Sequence, residues 1–252
     1  TASLFTPGTR WARQGLVAAA AASGFTHFDT APYYGFGMAE RDLAPLLRAQ
    51  PGLSFSTKVG LYSPGGEFQP GAAVLARKVL GRLVPSLSLP AVDFSITRAA
   101  QALHGSLRRT GRETVDLYML HDPRLGLFAT DEWNRWLEDC VGQGKVRHFG
   151  LALSAGYLAP ILDAGAGLGQ VIQLADSLDG READLLGRHG LPMQITYGYV
   201  SAALRQREPR PAAEILKAAL LRNPEGAIIV STTQEKRVGD YARILEEAER
   251  DR

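Results

Sequence analysis

The sequence predicts a (β/α)8 barrel, on three observations. Short apolar runs alternate with longer amphipathic ones along nearly the whole chain. The short runs are almost continuously apolar or β-branched, as expected of parallel strands covered on both faces. The length, 252 residues, matches the ~250 typical of such a barrel. A doubly wound sheet is the rival, and it would carry a Gly-rich phosphate turn after its first strand. The sequence has neither G-x-G-x-x-G nor G-x-x-x-x-G-K, and "GAGLGQ" (165–170) precedes a strand pattern instead of opening a helix. The expectation is therefore one barrel over residues 1–252.

The elements follow in order. "TASLF" (1–5) stands directly before a helical pattern and reads as the end of a first strand, truncated at the amino terminus. "TRWARQGLVAAAAAS" (9–23) is helical and stops at Gly24. "FTHFDT" (25–30) is the next strand, and "MAERDLAPLLRAQ" (38–50) the next helix. "SFSTKVG" (54–60) is a strand, followed by a long connection over 61–97. Long connections at the carboxyl ends of barrel strands usually shape substrate pockets. "ITRAAQALHGSLRRTG" (96–111), "DEWNRWLEDCVGQGK" (131–145), "YLAPILDAG" (157–165), "READLLGRHG" (181–190), "PAAEILKAALLRN" (211–223) and "QEKRVGDYARILEEAERDR" (234–252) show helical spacing. Between them lie strand patterns at 115–122, 146–154, 170–176, 193–199 and 226–233. Gly24, Gly111, Gly165, Gly190 and Asn223 sit where carboxyl-terminal caps belong, and Pro211 suits a first turn.

Composition removes several function classes. Formal net charge is +2, from 28 basic and 26 acidic residues. Nucleic acids and anionic membranes need concentrated positive charge, so neither is an expected partner. The single cysteine, Cys140, allows no internal disulfide and reads as packing. No apolar run reaches the ~20 residues that span a bilayer, and no signal-peptide pattern opens the sequence. The expectation is a cytoplasmic protein.

Polar residues mark three strand ends: Asp29 on the second strand, Lys58 on the third and His121 on the fourth, with Tyr34 five residues after Asp29. In a barrel these ends converge on one mouth. Each residue has a plainer role available: Asp29 as a turn former, Lys58 reaching for water, and His121 and Tyr34 as packing. Together the four make a coherent set. A tyrosine holds its proton at neutral pH, with a free pKa of about 10. A neighbouring ammonium favours the phenolate, a carboxylate holds the ammonium, and an imidazole can orient a carbonyl oxygen. Such a set can protonate a carbonyl or deprotonate an alcohol. The sequence shows no metal-ligand spacing and no paired carboxylates for glycoside chemistry.

These segments resemble the aldo-keto reductase superfamily. "FDTAPYYG" is similar to its D-T-A-x-x-Y-G segment, "STKVG" to its lysine strand, "LYMLHDP" to its histidine strand and "GKVRHFGLALS" to its fifth strand. The run from Val92 through "LYMLHDP" is similar to the branch containing D-threo-aldose (L-fucose, galactose) dehydrogenases. The resemblance implies that Asp29, Tyr34, Lys58 and His121 form a catalytic tetrad, with Tyr34 as general acid/base. It implies a nicotinamide cofactor, NADP(H) favoured and NAD(H) possible, and a small aldehyde, ketone or aldose as substrate. The cofactor residues it implies are Thr1, Ser154, Gln173, Tyr197, Ser231, Thr232, Thr233, Arg237 and Tyr241. Two departures stand out. The Ser-Asn that usually follows the fifth-strand glycine is Leu151-Ala152 here, leaving Ser154 as the substitute, and the frequent phosphate lysine is Ser231. The competing expectations are a cofactor-binding redox sensor with little turnover and a barrel isomerase or lyase without nicotinamide.

Overall fold

The computed structural model describes residues 8–250 other than 82–83, 85–86, 88 and 206–209. The expected first strand at 1–5, and Thr1 with it, lie outside the described residues. Among the described residues, seven strands form one parallel sheet: β1 (His27–Asp29), β2 (Ser54–Val59), β5 (Val115–His121), β6 (Val146–Leu153), β7 (Val171–Ala175), β8 (Ile195–Tyr197) and β9 (Ala227–Ile229). They neighbour one another in that order and curl into a nearly closed barrel. Helix α10 (Glu235–Arg250) packs on α1 (Arg10–Ala22), so the ring of helices closes across the gap between β9 and β1. No helix among the described residues is long and apolar enough to cross a membrane.

Side-chain alternation along the strands makes two cores. On β5, Tyr118 and Leu120 point outward into the main core, with Phe28 and Phe55 from neighbouring strands and Leu43, Leu103 and Trp133 from helices. Leu117 and Met119 point inward and pack with Ala152, Val171 and Ile195. Both sets are buried, which is why the strands read as continuous apolar runs. Trp133 satisfies its buried indole by donating to the Phe94 carbonyl at 3.0 Å. Cys140 is buried in the main core, as its helical setting predicts.

Helix starts and stops follow local chemistry. The Thr9 hydroxyl accepts from the Ala12 amide and opens α1, and Ser95 does the same for α4 (Ile96–Thr110) from the Arg98 amide. Gly111 ends α4 in the left-handed region. Asn223 ends α9 (Ala212–Arg222) differently: its φ is −125°, and its side-chain amide donates to the Thr196 hydroxyl at 3.0 Å. Gly150 serves close approach, because a Cβ there would overlap the Val171 carbonyl oxygen of the neighbouring strand.

The connection over 61–97 differs from the expected pocket-shaping loop. It contains a short antiparallel pair, β3 (Leu61–Tyr62) with β4 (Ala91–Val92), and helix α3 (Gly71–Leu80). Its Gly65–Pro70 segment lies over the outer face of α4, where the Arg108 and Arg109 guanidinium carbons sit 4.8 and 5.0 Å from the Phe68 ring centre.

A buried ionic staple ties β2 to two helices. Glu40 of α2 (Met38–Ala49), fully buried, accepts from the Thr57 hydroxyl at 2.7 Å and from Arg109 Nε at 2.5 Å. Removing one partner of a buried pair costs about 3–5 kcal/mol, more than removing both. We expect Arg109→Met to lose stability of that order in urea denaturation and the double variant Arg109→Met with Glu40→Gln to recover a large part of it. Additive losses in the double variant would disprove the coupling.

Candidate active site

The four polar strand-end residues come together at the carboxyl end of the barrel. Lys58 Nζ lies 2.6 Å from Asp29 Oδ1 and donates to the Thr30 carbonyl at 2.9 Å. The Ser56 hydroxyl donates to the same Asp29 oxygen at 2.8 Å. Lys58 Nζ also sits 5.0 Å from the centre of the Tyr34 ring. The Tyr34 and His121 rings meet edge to face, with centres 5.8 Å apart and planes at 86°. All four residues line one cavity of about 520 Å3.

Local sequence explains the placement. Asp29 and Lys58 end adjacent parallel strands whose register pairs Asp29 with Ser56. Tyr34 follows in a tight turn whose next three residues, Gly35, Phe36 and Gly37, all have positive φ (60°, 56° and 78°). Two glycines take this path without strain, and Phe36 carries the one costly step. At Gly37 a Cβ would in addition meet the Glu67 carbonyl. Asp122 also has positive φ, 48°, and its amide donates to the Ala152 carbonyl at 2.8 Å. That kink ends β5 directly after His121.

Electrostatics divide the set. Burial alone would raise the Asp29 carboxyl, but the Lys58 charge and the hydrogen bonds from Lys58 and Ser56 outweigh it and hold Asp29 below its usual range. Burial first, and then the Lys58 charge, lower His121 to about 3, so its imidazole is neutral at ordinary pH. Burial raises the Tyr34 phenol well above its usual value, helped by the charges of Asp29 and Asp122. The net direction is opposite to the lowering expected from a neighbouring ammonium: burial and the Asp29 and Asp122 charges prevail, with Lys58 held against Asp29.

Of the cofactor residues implied by the sequence, Gln173, Tyr197, Ser231, Arg237 and Tyr241 line the cavity. Gln173 is 4% exposed and its Oε1 has no hydrogen-bond partner. A buried amide oxygen left unmatched by the protein is open to a donor from water or a ligand in the cavity. Burial raises Tyr197 to about 12, so it presents a neutral ring. Ser154, Thr232 and Thr233 are not in the lining. Ser154 stands at the start of α6 (Ala155–Asp163), and β6 contributes Ala152 to the wall instead. The Thr232 hydroxyl accepts from the Gln234 amide at 3.1 Å. The described part of the 61–97 connection contributes no residue to the lining.

Sequence patterns missed one wall. Helix α8 (Tyr199–Ala203) is a five-residue turn, too short for a periodic signal, yet Tyr199, Val200 and Ser201 face the cavity. It is fastened from behind. Asp176, 3% exposed, accepts from the Tyr199 hydroxyl at 2.7 Å, from Arg222 Nε at 2.7 Å and from the Ala183 amide at 2.9 Å. Among the described residues no cluster of three or more His, Cys, Asp or Glu could hold a metal.

A family model for the aldo/keto reductase family matches residues 8–161. The chain is similar to the D-threo-aldose 1-dehydrogenase of a Pseudomonas species, 33% identical over 104 residues, covering 40% of this chain and 31% of that protein. The chain spans about half the length, or less, of the curated relatives it matches. Its fold is similar to that of an aldo-keto reductase from Bacillus halodurans in its holo form, with TM-score 0.72 and 18% identity, covering 94% of this chain and 83% of that one. It is similar likewise to an aldo-keto reductase from Klebsiella pneumoniae in complex with NADPH, with TM-score 0.63 and 19% identity over 94% and 80% of the two chains.

The charge states give a pH expectation. His121 titrates near 3 when folded and near ~6.5 when unfolded. The unfolded chain therefore binds more protons between these values, and stability falls as pH drops through that window. Asp29, depressed when folded, adds to the loss below its unfolded pKa of ~3.9. We expect the His121 ring to show no NMR titration between pH 8 and about 4. A His121 midpoint near ~6.5 would contradict its burial.

Proposed function

The chain belongs to the aldo/keto reductase family, and on that premise we propose that it is a nicotinamide-dependent oxidoreductase acting at the carbonyl or alcohol carbon of a small aldehyde, ketone or aldose. The observation that carries this reading is the meeting of Asp29, Tyr34, Lys58 and His121 in one cavity. In the reductive direction Tyr34 gives its proton to the carbonyl oxygen. Its raised pKa keeps that proton in place until negative charge develops on the substrate. Neutral His121 donates a hydrogen bond to the same oxygen and aligns it. Lys58 stabilises the phenolate that remains, and Asp29 keeps Lys58 charged and aimed. The nicotinamide, when bound, supplies the reducing equivalent.

The residues present fit that cofactor. Gln173 offers its unmatched oxygen to the carboxamide, and Tyr197 offers a ring face. Ser231, just before α10, and Arg237, in its first turn, both line the cavity, and backbone amides and a guanidinium there suit an adenosine 2′-phosphate. We therefore favour NADP(H), with small carbonyl compounds and sugars as substrates. The D-threo-aldose 1-dehydrogenase likeness points to sugars within that class.

Two variants test this. Tyr34→Phe should lower turnover by about 10²–10⁴ while fluorescence titration still shows cofactor binding; a fully active Tyr34→Phe sinks the mechanism. Arg237→Ala should weaken NADPH about tenfold, worth ~1.4 kcal/mol, and NADH much less. Equal weakening of the two would remove Arg237 from phosphate recognition.

A further inference from the structure

The barrel lumen is lopsided. On the β5 to β8 side it is filled by Leu117, Met119, Ala152, Val171 and Ile195. On β1 and β2 it is a polar column running the depth of the barrel. Lys58 Nζ reaches Asp29 Oδ1 (2.6 Å), Ser56 Oγ reaches the same oxygen (2.8 Å), His27 Nε2 lies 3.2 Å from Ser56 Oγ, and His27 Nδ1 lies 2.8 Å from Ser54 Oγ. Barrel interiors are ordinarily layers of branched apolar side chains. Ser56 and Lys58 are 0% and 1% exposed, whereas His27, at the amino-terminal floor, is exposed.

The Ser56 hydroxyl donates to Asp29, and the Ser54 hydroxyl donates to the Thr26 carbonyl at 3.3 Å. The Ser56 proton is committed to Asp29, so Ser56 accepts from His27 Nε2–H. The Ser54 hydroxyl can turn from the Thr26 carbonyl to His27 Nδ1, 2.8 Å away, which gives a neutral imidazole a partner at both nitrogens. Asp29 on the same strand and Asp116 on β5 favour the charged ring; burial of its barrel side and Lys58 on β2 oppose it and win. Arg147 of β6 is itself paired with Asp116 at 3.1 Å. The resting column therefore holds a neutral His27 that donates to Ser56 and keeps Nδ1 as an acceptor at the end nearest the floor.

We propose that His27, Ser56 and Asp29 form a proton path that resupplies Lys58 and Tyr34 from the floor of the barrel, a proposal that rests on Tyr34 being the proton donor. For each carbonyl reduced, the Tyr34 O–H bond breaks and an O–H bond forms on the product. The phenolate takes a proton from Lys58. Lys58 recovers one through Asp29 as Ser56 passes its hydroxyl proton inward, His27 refills Ser56, and water refills His27. One proton enters at the floor for each one delivered to product, and alcohol oxidation runs the path outward. The route matters because a bound cofactor and substrate fill the mouth through which water would otherwise reach Tyr34.

The test compares the wild type with His27→Gln, using NADPH and glyceraldehyde. Glutamine keeps a donor toward Ser56 but does not relay a proton. The first turnover draws on the proton already on Tyr34, so its rate should change by less than about two-fold in His27→Gln, while kcat falls roughly tenfold and gains a solvent deuterium isotope effect. Unchanged kcat and isotope effect, or a first turnover that falls together with kcat, overturns the path. A wild type that fails to oxidise NADPH defeats the proposed function instead. Independently of turnover, the His27 ring should titrate at higher pH in Lys58→Met than in the wild type, because the column couples the two; an unmoved His27 midpoint overturns the path by itself.

Discussion

A lysine with 1% of its surface exposed constrains everything around it. An unpaired ammonium at that depth costs several kcal/mol, so the barrel must bring an anion and further acceptors to Lys58 or leave it unfolded. Asp29 and the Thr30 carbonyl do so from the neighbouring strand. This fixes the β1–β2 register at Asp29 opposite Ser56, because a one-residue slip would turn every side chain of β1 to the wrong face. The same strand is gripped from outside. Thr57 points the opposite way from Lys58 and binds Glu40, which binds Arg109. Residues adjacent in sequence thus fasten the active cavity on one face and the helical layer on the other.

Much of this was legible in the sequence. The strand patterns around Asp29, Lys58, His121 and Gln173 place those residues on β1, β2, β5 and β7, because buried parallel strands leave a dense apolar record. Alternation then determines which polar residues share the lumen. The terminal glycines of the helices also carry their message locally: Gly111 takes the left-handed cap that only a glycine adopts readily.

What escaped was either short or collective. Helix α8 spans five residues, less than two turns, so its cavity-facing side has no period to detect. Helix α3 and the β3–β4 pair lie in a stretch punctuated by proline and glycine that reads as loop. The direction of the Tyr34 shift is a property of several groups at once: burial dominates, and the charges of Asp29 and Asp122 add to it. Residue types alone cannot rank those contributions. Ser154 is a related case: it stands two residues beyond Ala152, which lines the cavity, and at the start of α6.

The Asp176 hub has a consequence for how this barrel can change. Asp29, Tyr34 and Lys58 come from β1, β2 and the turn between them, whereas Tyr197 and the α8 wall belong to the opposite arc, anchored by Asp176 to Arg222 and Tyr199. Among the described residues, neither Asp176 nor Arg222 lines the cavity. The two arcs have separate foundations. Substitutions on the β8 to α10 arc can reshape that wall of the cavity while Asp29, Tyr34 and Lys58 keep their geometry. A scaffold divided in this way can change one wall in small steps, without passing through a form that has lost the other.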